Sequence, residues 1–452
     1  MKKSFMTILI AVLAFAVLAA GCSNNSGNSS GDATGNNGNA SAGNANSGDA
    51  GNGGGEQVTL TVWDFYGATT PIKPLIPQFE EQNPGIKIEF QAQPWDNYWD
   101  KLAAGASGGE LPDLATTGLL WAPQYQVLGV YAGLNELSNN ELNGKPIAEQ
   151  FSQGMLEGAS VDDELYGIPY DFDAYALYYR QDLLEEANVE GPPTNWGELV
   201  EYGKKLTKDT DGDGSADQFA FVVLPDWYHF EPFLYANGGK VLNEDNTKAV
   251  INSPEAVEAL QFYADLVNKH KIAVNWTPDR GSYISGLKDG TIAMFQDGPY
   301  VMGLIKDSIP EHEGKWRIGK PLADEQMGTH LGGTYLSVFH DSEHKEEAWK
   351  FIEFLSTVEN QVELYKTSGA APANLDAHEE PELQAEDPFF GNEVPMTNFK
   401  EAVEISVSTP VIREWQEIST IISDAVSLSV MQEETPQEAL DNAAEKINNL
   451  LQ

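Results

Sequence analysis

Tryptophan and tyrosine recur beside aspartate and asparagine in this chain, outside any periodic apolar face. The instances are Trp63-Asp64-Phe65-Tyr66, Trp95-Asp96-Asn97-Tyr98-Trp99, Trp121, Tyr170-Asp171-Phe172-Asp173, Trp227-Tyr228 and Gly298-Pro299-Tyr300. A flat ring covers the apolar C–H face of a pyranose, while carboxylates and amides accept its hydroxyl protons. A buried carboxylate left unpaired is costly, so such a set would reject ligands that lack the matching hydroxyl. Any one of these rings could equally be core packing; the recurrence is the signal.

A second constellation is Asp209-Thr210-Asp211-Gly212-Asp213-Gly214-Ser215-Ala216-Asp217. Carboxylates at positions 1, 3, 5 and 9 with glycine at 6 follow the order of a calcium loop. Asp209, Asp211, Asp213 and Asp217 offer hard oxygen ligands, and Ser215 could add its carbonyl. Position 12 is Ala220 where a full EF-hand has a bidentate glutamate, so a bound Ca²⁺ would be structural. His340-Asp341-Ser342-Glu343-His344 spells a zinc-peptidase motif, but its residues read as the entrance to a helix, not as one face of it. No phosphate loop and no dinucleotide fingerprint follows a strand, so no catalytic cofactor is expected.

The elements that must position these residues form an α/β mixture. Val58 to Val62 alternate as a strand, Ile72, Leu75, Ile76 and Phe79 take helical spacing, and Ile86 to Phe90 form a second strand. That order is a βαβ unit and calls for a parallel sheet. Phe219 to Leu224 is a continuous apolar run, suited to a strand covered on both faces. Ser253-Pro254 opens a helix with a cap residue followed by proline. Thr435-Pro436-Gln437-Glu438 is a capping-box pattern before another.

The chain of 452 residues carries 69 acidic and 26 basic side chains, a formal charge of −43. Nucleic acid is thereby disfavoured as a partner, because phosphate neutralisation needs Lys/Arg patches. At 41% hydrophobic residues there is ample material for a core. One cysteine excludes an internal disulfide and a cysteine-rich zinc site. That cysteine, Cys22, follows Lys2, Lys3, an apolar stretch from Phe5 to Leu18, and Ala19-Ala20-Gly21. Residues 1–21 resemble a bacterial lipoprotein signal, with Cys22 the lipidated residue and the anchor to the membrane. Residues 22–56 are a Gly/Asn/Ser-rich tether with nothing to bury.

The body also resembles a known family, the family 1 extracellular solute-binding proteins of bacterial ABC sugar importers, which includes the maltodextrin-binding proteins. Carrying stretches are Phe79-Glu80-Glu81-Gln82-Asn83-Pro84-Gly85-Ile86, Leu111-Pro112-Asp113-Leu114 and Tyr166-Gly167-Ile168-Pro169-Tyr170-Asp171. Further along come Ala236-Asn237-Gly238-Gly239, Gln296-Asp297-Gly298-Pro299-Tyr300 and Gly332-Gly333-Thr334-Tyr335. The resemblance implies a two-lobe, type II periplasmic-binding-protein-like fold with a hinge and an interlobe cleft. The N-lobe would comprise 57–173 plus 296–340, and the C-lobe 174–295 plus 341–452.

It further implies that Tyr300 and Tyr228 stack on a sugar and that Asp226 and Asp173 are acidic ligand residues. Trp415 matches a late C-lobe aromatic, and Trp63, Asp64 and Tyr66 end the first strand. Trp95, Asp113, Trp121, Tyr170, Asp171, Trp227, Glu231, Asp297, Gly333 and Tyr335 complete the candidates. Glu231 stands where the maltodextrin binder has an aromatic residue, which argues against maltose. The expected function is a monomeric, lipid-anchored receptor that delivers a carbohydrate to ABC permease subunits, on a Gram-positive surface in preference to a periplasm. The alternative is a tethered glycoside hydrolase, since aromatics with carboxylates line those clefts too.

Overall fold

The computed structural model describes residues 57–67, 70–119, 122–276 and 283–452. Cys22, the signal and the tether lie outside the described residues, as does Trp121; of Trp95 only the backbone is described. Strands of the main sheets are β1 (Val58–Asp64), β2 (Ile86–Ala92), β3 (Leu114–Gly118), β4 (Ile168–Ala174), β5 (Ala176–Arg180) and β6 (Phe219–Val223). They continue as β7 (Ala273–Asn275), β8 (Ile292–Asp297), β9 (Trp316–Gly319), β10 (Thr329–Val338), β11 (Ala371–Pro372) and β12 (Ser406–Ser408). Helices used below are α1 (Ile76–Gln82), α2 (Trp95–Gly108), α3 (Trp227–Ala236), α4 (Pro254–Asn268), α5 (Val301–Ser308), α6 (Lys345–Leu355), α7 (Trp415–Val430) and α8 (Pro436–Leu450).

The expected βαβ unit is present: β1 and β2 pair in parallel from Val58↔Ile86 to Asp64↔Ala92, with α1 between them. Prolines that weaken a helix interior stand here at its start. Pro74 lies in the short 3₁₀ turn Lys73–Leu75, and Pro77 in the first turn of α1, where a missing N–H costs nothing. Ser253 accepts the Ala256 N–H at the head of α4. Thr435 and Glu438 form the reciprocal capping box of α8. Phe219 to Leu224 yields β6, a strand paired with β7 and β8.

One sheet runs in the order β11-β4-β10-β3-β1-β2, with β12 added beside the start of β10. The other runs β7-β6-β8-β5-β9. The chain passes between them at Tyr175, the single residue separating β4 from β5, and again between Gly319 and Thr329. Helix α6 packs on the first sheet, while α4, α7 and α8 pack together near α3 beside the second.

Sheet membership departs from the expected partition in two places. Residues 296–297 and 316–319 were expected in the N-lobe, but β8 is hydrogen-bonded to β5 and β6 along its length and cannot be divided at Gln296. Conversely, Ala371–Pro372 and Ser406–Ser408 join the first sheet through β4 and β10, although they fall in the segment expected for the C-lobe.

Candidate solute-binding site

Ligands of open α/β sheets sit outside the carboxyl ends of the parallel strands. In the first sheet those ends are Asp64, Gly118 and Asp171 to Ala174. Strand β10 is antiparallel, with Thr334 opposite Gly118 and Gly332 opposite Asp173. In the second sheet they are Val223, which leads into Asp226 and α3, and Asp297, which leads into Tyr300 and α5. Asp297 faces Ala176, next to the Tyr175 crossover. Both sets of strand ends therefore converge on the hinge.

On the first-sheet side, Asp64 and Asp171 are buried. Thr116 Oγ1 donates to Asp64 Oδ1 at 3.1 Å, and the Thr334 N–H donates to Asp171 Oδ1 at 2.8 Å. Burial pushes both carboxyls up to about 7; for Asp171, the charges of Asp173 and Asp64 add to it. Tyr66 stacks on Phe65 with ring centroids 5.1 Å apart and shares a 3.1 Å hydrogen bond with Thr334 Oγ1. Phe65 also meets the rings of Tyr98 and Trp99, so an aromatic shelf borders the two carboxyls. Trp63, one residue before Asp64 and so on the other face of β1, is buried beneath Lys101 Nζ, 3.8 Å from its ring centroid.

On the second-sheet side, Asp226 caps α3 by accepting the His229 N–H at 2.9 Å, and its carboxylate also meets His229 Nδ1 at 2.8 Å. His229 Nε2 stands 3.9 Å from Asp297 Oδ2, an ionic contact longer than a hydrogen bond. Burial disfavours the imidazolium, yet the carboxylates of Asp226 and Asp297 outweigh it and hold His229 at about 10. Asp297 is itself buried. It accepts the Tyr283 hydroxyl on Oδ2, and the Gly298 N–H at 2.8 Å and Tyr300 hydroxyl at 2.7 Å on Oδ1. Burial opposes its ionisation, but these donors and His229 keep it below the usual carboxylate range.

The two sides touch directly. A Cβ on Gly298 would lie 1.5 Å from Asp173 Oδ1, so only glycine lets the turn after β8 approach the end of β4. Tyr175 lies between two imidazoles, its centroid 5.9 Å from that of His229 and 4.8 Å from that of His330. Asp64, Tyr66, Asp171, Asp173, Asp226, Tyr228 and Tyr300 thus gather at one hinge-centred region.

Other candidates are elsewhere or differently employed. Asp113 precedes β3, about 17 Å of strand from Gly118. There it accepts from the Thr61 N–H and hydroxyl and from Ser342 Oγ, away from the carboxyl ends of the strands. Tyr335 is fully buried and donates to the Met155 carbonyl at 2.7 Å. Tyr170 is fully buried beside it on β4. Trp227 and Trp415 are core residues packed edge to face at 5.4 Å. Gly333 is a backbone requirement: at φ +153° a Cβ would meet the Asp171 carbonyl at 2.6 Å. Glu231 is buried against His330 Nδ1 at 2.7 Å and so is employed within the fold.

His229, His330, Tyr175 and Tyr283 went unmarked in the sequence, and Thr334 stood only within a stretch that carried the family resemblance. His229 alone had a local signal, three residues after a capping aspartate. In the acidic loop, carboxylate oxygens of Asp209, Asp211 and Asp217 come within 4.8 Å of one another. Asp209 accepts the Gly212 and Gly214 N–H groups, and Asp213 turns to the Ser215 N–H instead. Helix α6 starts at Lys345, so His340 and His344 do not share a helix face. Among the described residues no helix is long and apolar enough to cross a membrane.

The profile of the bacterial extracellular solute-binding proteins matches residues 66–362, well over half of the chain. The chain belongs to that family. This solute-binding protein has the type II, maltose-binding-protein-like fold of its solved relatives. A Thermotoga lettingae ABC transporter solute-binding protein, bound with alpha-D-tagatose, is 28% identical, with TM-score 0.78, covering 88% of this chain and 100% of that one. A Listeria monocytogenes ABC substrate-binding protein in complex with cycloalternan is 26% identical, with TM-score 0.78, covering 87% and 99%. The arabinooligosaccharide-binding protein of Halalkalibacterium halodurans is 26% identical over 413 residues, 87% of this chain and 89% of the relative. The family is one of extracellular binding proteins, and these solved relatives are ABC transporter binding proteins.

Proposed function

We propose that this solute-binding protein captures a carbohydrate, most simply an oligosaccharide, between its two sheets and delivers it to an ABC permease. The observation that carries the reading is the meeting of half-buried tyrosines (Tyr66, Tyr228, Tyr300) with Asp64, Asp171 and Asp173 where both sets of strand ends converge. Rings supply stacking faces and carboxyls supply hydroxyl acceptors. Several solved relatives hold sugars. Titration calorimetry against an oligosaccharide panel, run beside a hydrolysis assay on every binder, tests it. Binding without turnover is the expected result; turnover would favour the hydrolase alternative.

The lobes of this reading follow the sheets, with hinge closure about Tyr175 and residues 320–328. Cys22 carries the lipid anchor of a monomeric receptor, and the long tether and acidic body suit a Gram-positive surface. The loop 209–217 takes one structural Ca²⁺ through Asp209, Asp211 and Asp217. The converging carboxylates support that assignment, and the glycine turns at Gly212 and Gly214 suit it.

A further inference from the structure

We propose that His330 is a positioning residue for solute binding, wedged from β10 between Tyr228 and Glu231 of α3. There it fixes the stacking ring and ties that helix to the first sheet. The inference rests on the reading that the cleft takes a sugar and that Tyr228 stacks on it.

Tyr228 and Glu231 are three residues apart on α3 and so share one face of it. His330 meets both. Its Nδ1 lies 2.7 Å from Glu231 Oε2, and its ring lies perpendicular to that of Tyr228 with centroids 6.0 Å apart. The edge-to-face arrangement is the favourable one for two such rings. On its other side His330 packs against Tyr175, the crossover residue, at 4.8 Å. Space for the imidazole comes from Gly332, where a Cβ would lie 2.5 Å from Nε2. The side chains of His330 and Glu231 are 4% and 0% exposed, so the pair is sealed from water and does not offer itself to ligand.

The two partners come from different parts of the molecule. Helix α3 follows β6 of the second sheet, and β10 belongs to the first. An acid–imidazole contact in a dry setting is directional, and losing one partner leaves the other buried and unsatisfied. The contact therefore sets how α3 lies against the first sheet and, through the shared face, where the Tyr228 ring points. His330 acts through Tyr228, not on the ligand.

The test is a double-mutant cycle read as Kd. Maltotriose, arabinotriose, cellotriose and galactotriose are titrated against the wild-type protein, and the tightest binder is carried forward. His330→Gln and Glu231→Gln should each weaken binding about tenfold or more. In a Tyr228→Leu background, adding His330→Gln should change Kd by less than about twofold, because the ring it positions is already gone. Fold-changes that multiply would overturn the proposal. So would folded single variants with lowered melting temperature and wild-type Kd, which is what a merely structural role gives. If His330→Gln does not fold, the near-isosteric Glu231→Gln completes the same cycle. Failure of the wild-type protein to bind any of these sugars would instead remove the reading on which the proposal rests, and the proposal with it.

Discussion

Asp297 Oδ1 accepts the Tyr300 hydroxyl at 2.7 Å, across the turn that joins β8 to α5. Asp297 therefore orients the ring beside the cleft: its oxygens serve Tyr283, Gly298 and Tyr300, with His229 opposite. Asp297→Asn should weaken solute binding about tenfold, since hydrogen bonds to a charged group contribute about 1.5–3 kcal/mol. Tyr300→Phe, which keeps the ring and removes its tether, should weaken binding in the same direction by a smaller factor. Calorimetric Kd values check both; an unchanged Kd for Asp297→Asn would show that the ring needs no such anchor.

Asp64 and Asp171 link binding to protons. Burial raises both from 3.8 to about 7. Between about pH 4 and 7 the folded chain holds protons that the unfolded chain has lost. Their contribution to stability is therefore present below about pH 4 and disappears as pH rises through about 7. A sugar hydroxyl donates best to the ionised carboxylate, so ligand pulls both groups toward ionisation. Proton release on binding near pH 6.5 to 7 is expected, with affinity rising toward about pH 8. Titrations in two buffers of different ionisation enthalpy measure it, and Asp64→Asn should remove part of the release. Proton uptake would contradict the assignment.

Much of the fold was legible because its signals are local. The alternation from Val58 to Val62, the Ser253-Pro254 start and the Thr435/Glu438 box each act within a few residues. The end of the strand that carries Asp64 was legible for the same reason, while Asp171 and Tyr300 stood out through the pairing of aromatics with acids and the family resemblance. What escaped depends on partners distant in sequence. Trp415 reads as a ligand-stacking aromatic until Trp227, 188 positions earlier, is found against its ring. Glu231 reads as a ligand carboxylate until His330 arrives from another sheet. Asp113 sits in a recognisable stretch, yet strand direction places it at the wrong end of the sheet.

Gly298 should resist substitution although it has no side chain to offer a ligand. Gly298→Ala places a methyl 1.5 Å from where Asp173 Oδ1 now lies, so Asp173 or the turn must move. Overpacking of this kind costs about 1–3 kcal/mol of stability. Because the displaced carboxylate belongs to the site, solute affinity should fall together with the melting temperature. An equal-sized change at the open position Gly108, where nothing lies within 4 Å of a built Cβ, is the control and should leave affinity unchanged.

Calcium would act on stability far from the cleft. Asp209, Asp211 and Asp217 repel one another when their oxygens lie within 4.8 Å, and backbone N–H groups offset this only in part. A divalent cation would neutralise that charge directly ahead of β6, a core strand. Mass action then predicts a melting temperature that climbs with calcium, by about 2.7 kcal/mol of stability at about 100 times Kd. Chelator should reverse the rise, and magnesium should substitute poorly, because it demands near-octahedral geometry that this acidic loop does not impose. Asp209→Asn weakens the ligand set and should abolish most of the shift while leaving sugar affinity in place, since the loop and the hinge lie on different parts of the second sheet. A melting temperature that ignores both calcium and chelator would mean that the loop is a solvated acidic turn, held by Asp209 and Asp217 through their hydrogen bonds alone.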